Sequence, residues 1–114
     1  MPASPNHWMR IQQHLFALTL TKERAPSADL IVEAQRLLLW LCSERGPAPQ
    51  AVSSGHQGSV IFRWHQGGSW FEVEVTHVGR ANWRARTPEA EIVSGPLNAQ
   101  AIELLRSIIP MAQR

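Results

Sequence analysis

Glu72 and Glu74 lie two residues apart in the alternating stretch Phe71-Glu72-Val73-Glu74-Val75. On a strand this spacing puts both carboxylates on one face, about 6–7 Å apart. Such a pair can divide the roles of general acid and general base, so hydrolysis is one reaction for which the sequence has material. Against it, Arg63 and Arg84 are placed to flank these carboxylates and favour their charged forms, which leaves no proton donor. Other catalytic sets are incomplete. Asp29 is the only Asp and marks a helix start, and Cys42, the only thiol, falls in an apolar helical stretch where it reads as a small hydrophobe. His7 and His14 are two turns apart, His56 sits in a glycine-rich turn, and His65 and His77 fall at opposite ends of a strand pair, so none has metal-ligand spacing. Gly67-Gly68 joins two strands and leads into no helix, which excludes a phosphate-cradling loop. The expectation is no catalytic residue, no metal, no cofactor and no enzymatic activity.

Arginine offers binding chemistry instead. Ten of the eleven basic residues are Arg, and with Lys22 the only Lys and no Tyr, few groups titrate at alkaline pH. A pI of about 9.5 at a net charge of +2 therefore reflects missing buffers more than a strong positive field. Guanidinium forks beside an aromatic plane are what proteins use to hold phosphates, carboxylates or stacked bases, so the position of the Arg and Trp residues matters more than their number.

The elements that place them follow from periodicity. Ser4-Pro5 starts a helix over about 5–19 with Trp8, Ile11, Leu15 and Leu18 at helical spacing. Ser27 caps a second over about 28–45, stopped by Gly46, Pro47 and Pro49, with Leu30, Ala34, Leu37, Leu38, Leu41 and Cys42 as its expected buried stripe. Val32, Leu39 and Trp40 fall outside that stripe and widen the apolar face, either against the first helix or as a partner-binding or self-association surface. From residue 50 the period becomes two, with turns at Gly55 to Gly58, Gly67-Gly68 and Gly79. Asn98 caps a last helix over about 98–109, carrying Ala101, Ile102, Leu105, Ile108 and Ile109 up to Pro110. This order predicts one α+β domain, 1–114, with a three- to four-stranded antiparallel meander over about 50–94 packed on one face by helices.

A two-residue loop at Gly67-Gly68 pairs His65 with Trp70, Trp64 with Phe71 and Arg63 with Glu72. A three-residue loop ending in left-handed Gly79 then sets Val73 opposite Trp83, since the two-residue alternative would bury Arg84. Val60, Phe62, Trp64, Phe71, Val73, Val75, Ala81, Trp83 and Ala85 face the helices. Ile61, Arg63, His65, Trp70, Glu72, Glu74, Arg80, Asn82, Arg84 and Arg86 face outward as a charge ladder edged by Trp70.

The apolar fraction of 44% suits one packed core, and the single Cys excludes an internal disulfide and suits a reducing cytoplasm. The longest apolar stretches, Leu15 to Leu20 and Leu37 to Cys42, are far short of the ~20 residues of a membrane helix, and no cationic start precedes a continuous apolar run. A soluble cytoplasmic protein is expected, with no membrane contact.

The segment Ile61-Phe62-Arg63-Trp64-His65-Gln66-Gly67-Gly68-Ser69-Trp70-Phe71-Glu72-Val73-Glu74-Val75 resembles the core of a loose set of small bacterial α+β proteins. In these a helix and a Pro-rich linker precede a Trp-ended strand, a glycine turn and an alternating acidic strand. The resemblance spans at most residues 28–109. It implies the fold, carries no established activity, and places some members in mobile-element or defence-linked gene contexts. Where that set has an acidic Trp-Asp-Gly motif in its first loop, this chain has Lys22-Glu23-Arg24-Ala25.

The expected function is non-enzymatic binding of a protein partner, of the antitoxin, immunity, inhibitor or accessory-subunit type. It would use the sheet face of Arg63, His65, Trp70, Glu72, Arg80, Arg84 and Arg86, or the helix surface of Leu39 and Trp40, the latter also serving a homo-oligomer. The first alternative is a nucleic-acid-binding module using the same Arg and Trp face, although Glu72 and Glu74 would repel phosphates. The second is a hydrolase using Glu72 and Glu74.

Overall fold

The computed structural model describes residues 5–20, 25–44, 46–55, 58–88 and 90–109. Ser4, Lys22, Glu23, Arg24, His56 and Pro110, singled out above, lie outside them.

Helix α1 runs over Pro5–Ala17 and tightens into a 3-10 turn, Leu18–Leu20. Helix α2 covers Ala28–Ser43. Its cap is Ser27, whose Oγ accepts the Leu30 N–H at 3.2 Å and satisfies one of the four donors a helix start leaves free. Five strands follow, β1 (Ala51–Ser54), β2 (Val60–Gln66), β3 (Ser69–His77), β4 (Arg80–Thr87) and β5 (Ala90–Pro96), then α3 (Ala99–Ile108), capped by Asn98 through the Ala101 N–H at 3.0 Å. The strands lie side by side in chain order, all antiparallel. The α+β fold and its helix-covered sheet are as expected, and the sheet has five strands where three or four were expected. The fifth strand, β5, carries the sheet two residues past its expected end at about 94, to Gly95 and Pro96. It is an edge strand, the position where Pro is tolerated.

The inner sheet face is fully buried at Val60, Phe62, Trp64, Phe71, Val73, Val75 and Ala85, against Ile11 and Leu15 of α1, Leu38 and Leu41 of α2, and Leu105 of α3. Three aromatic rings cross neighbouring strands here. Phe71 meets Trp64 edge-on at 5.8 Å and stacks on Trp83 at 5.5 Å. Trp64 also donates Nε1–H to the Pro47 carbonyl at 2.9 Å, which ties the linker after α2 to the core.

One expected core residue is displaced. Cys42 is exposed, because the buried stripe of α2 is Leu30, Ile31, Ala34, Leu38 and Leu41. Its centre passes between Ile31 and Leu41, about 70° from Cys42 at 100° per residue, and Leu37, equally far on the other side, is half-buried.

Candidate functional site

The hairpin registers place the outward residues in rows across the sheet. The pairs His65↔Trp70, Arg63↔Glu72 and Ile61↔Glu74 join β2 to β3. Trp70↔Arg86, Glu72↔Arg84 and Glu74↔Asn82 carry the rows into β4, and Ser94 and Pro96 of β5 stand opposite Arg84 and Asn82. The β3–β4 turn reaches this register by a compact route: His77 pairs with Arg80 around Val78-Gly79, and a one-residue shift between Val75 and His77 supplies the offset assigned in sequence to a longer loop. Gly79 has φ +78°, the left-handed conformation expected of it.

The middle row is an Arg-Glu-Arg ladder. Glu72 Oε2 accepts from Arg63 Nε at 2.5 Å and Oε1 accepts from Arg84 Nη2 at 2.8 Å. The Glu72 side chain is only 13% exposed while those of its partners are 53% and 56% exposed, so Glu72 is the more sheltered member of both pairs. In the next row Glu74 Oε2 accepts from the buried Ser59 Oγ at 2.5 Å. Gly55 leaves the space for this contact, since a Cβ there would sit 2.3 Å from Ser59 Oγ. Three of the four oxygens of the carboxylate pair are thus engaged, around a shallow depression of about 370 Å³ whose lining includes Asn82, Arg84 and Ser94. This arrangement suits a structural ladder better than an acid and base pair acting on water.

At the Gly67-Gly68 end, the row of His65, Trp70 and Arg86 has a different character. His65 and Arg86 are exposed, Trp70 is half-buried, and none has an ion pair among the described residues. The His65 backbone is held by Gln50, whose side chain accepts the His65 N–H at 3.1 Å and donates to the His65 carbonyl at 2.8 Å. Gln50 extends the edge of β1 in this way, a contact between distant segments that no local pattern signals.

The helix surface expected of Leu39 and Trp40 divides in two. Leu39 is 61% exposed, with Val32, 48% exposed, on the same outer side of α2. Trp40 is half-buried and turns toward the sheet. There it joins a groove of about 720 Å³, in which α2 contributes Glu33, Arg36, Leu37 and Trp40. Facing them are Val75, Gly79, Arg80 and Ala81 of the β3–β4 turn region and Leu97 before α3. Arg80, assigned in sequence to the open face, therefore also reaches this groove. Glu33 Oε2 accepts the Gly79 N–H and fixes the turn to the helix. The sequence reading missed the groove because its walls are about 40 residues apart along the chain.

Among the described residues no group of three or more His, Cys, Asp and Glu could hold a metal ion, and no helix is long and apolar enough to cross a membrane. No protein-family profile, curated protein or solved structure matches this chain.

Proposed function

We propose that this chain is a small non-enzymatic binding protein that occupies an acidic surface of a protein partner, as an antitoxin, immunity protein, inhibitor or accessory subunit does in a bacterial cytoplasm. The observation that carries the reading is the contrast between two adjacent rows of the open sheet face. In one, Arg63 and Arg84 share the single carboxylate of Glu72, which offsets one of their two charges. In the other, Arg86 stands opposite Trp70 with no carboxylate paired to it among the described side chains, which do not include those of residues 89–93. Trp and Arg are the residues that most often anchor protein interfaces, and a flat sheet presents them without ordering a loop. The ladder beside them supplies a fixed polar rim.

Affinity capture of the tagged chain from the cells that make it, compared with Arg86→Glu and Trp70→Ala, tests this. The expected result is one stoichiometric protein, retained by the wild type and lost from both variants. Recovery of DNA or RNA without a protein partner, with affinity that falls steeply as salt rises, would replace it by the nucleic-acid reading. Val32 and Leu39 on the outer side of α2 are the surface we assign to self-association, and a monomeric mass by light scattering at micromolar concentration removes that assignment.

A further inference from the structure

We propose that the groove between α2 and the β3–β4 turn is a site for a small aromatic carboxylate. It is an open groove, bordered by α2, by the turn and by Leu97 at the entry to α3. Its volume of about 720 Å³ lies within the ~300–1,000 Å³ of small-molecule sites. The apolar part is Leu37, Trp40, Val75, Ala81 and Leu97, which provide an indole and branched aliphatic groups for a planar ring.

The polar part fixes the sign of the ligand's charge. Arg36 and Arg80 enter from opposite walls, both exposed and neither in an ion pair among the described residues. Glu33 is the one acid of the lining and stands three residues before Arg36, the spacing at which the two could pair on the helix. It turns instead to the Gly79 N–H. The guanidinium groups are thereby left for an incoming anion, and two planar forks lining one partly apolar groove suit a carboxylate. The site is separate from the Trp70 and Arg86 row, so it stands or falls independently of the partner surface proposed above.

Isothermal titration of the full chain with 2-naphthoate, and with 2-naphthylmethylamine as a cation of similar shape, tests the proposal. The acid is expected to saturate one site and the amine to bind at least ~10-fold more weakly, the scale of one hydrogen bond to a charged group. Arg36→Ala and Arg80→Ala should each weaken naphthoate by ~10-fold or more, with unchanged circular dichroism since both side chains are exposed. In amide NMR spectra the shifts on titration should centre on Gly79, Arg80, Ala81 and Leu97. Equal affinity for acid and amine, full affinity in the Arg36→Ala, Arg80→Ala double variant, shifts centred elsewhere, or no binding at millimolar naphthoate would each overturn the assignment.

Discussion

Glu72 is held by two guanidinium groups that are themselves more than half exposed, so water and salt screen both bonds. Each is worth about 0–1 kcal/mol. Glu72→Gln is therefore expected to lower stability in urea by no more than about 2 kcal/mol, while freeing Arg63 and Arg84 to act as cations. A polyanion such as duplex DNA should then bind more tightly, and with a steeper salt dependence, than it binds the wild type. An unchanged salt slope would show that the two Arg remain masked. Trp64 is the opposite case. Its indole is fully buried and its N–H donates to the Pro47 carbonyl, so Trp64→Phe removes ring volume and leaves that carbonyl without this donor. A loss of about 2–4 kcal/mol by denaturant unfolding is expected, combining an unsatisfied polar group with a cavity. A loss below about 1 kcal/mol would mean that water reaches Pro47.

At the scale of elements, the β3–β4 turn is where local conformation and tertiary contact coincide. Gly79 has φ +78° with open space where a Cβ would be, so Gly79→Ala suffers no clash and carries only the left-handed strain, about 1–2 kcal/mol. Glu33→Ala removes the acceptor that ties this turn to α2 without changing the backbone. It should leave global stability within about 1 kcal/mol but raise amide exchange at Val78, Gly79 and Arg80, because only the local tether is lost. The turn also shows how much was legible beforehand. The pairing of Val73 with Trp83 and of Glu72 with Arg84 follows from keeping Arg84 out of the core, whatever the loop count, and the structure reaches it by a bulge. The helix caps at Ser27 and Asn98 and the open-face ladder are equally local in origin. Cys42 and the Gly95-Pro96 end of β5 depart from expectation for local reasons too: a thiol at the margin of a helical stripe, and a Pro that an edge strand tolerates. The groove had no such signal, since Arg36 and Arg80 become neighbours only when α2 lies against the sheet.

For the whole molecule, a sheet whose strands lie in chain order has its chemistry in the middle and its weakest backbone at the sides. β3 is paired on both sides along nearly its full length and carries Phe71, Val73 and Val75 into the core. β1 is four residues long, and β5 pairs only with β4 through an irregular register. Opening β1 or β5 breaks one ladder, whereas opening β3 breaks two and exposes the core, so the edges should exchange amide hydrogens by local fluctuation and β3 only by global unfolding. Native-state exchange at low micromolar protein is expected to be at least ~10-fold faster in β5 than in β3, a gap of about 1.4 kcal/mol in opening free energy. Equal protection would mean that something covers the outer side of β5, and protection that grows with protein concentration would identify it as a second copy pairing on that edge. That outcome would move self-association from the Val32 and Leu39 side of α2 to the sheet edge. It would leave the Trp70 and Arg86 row intact, because those side chains stand on the face of the sheet and not on its rim.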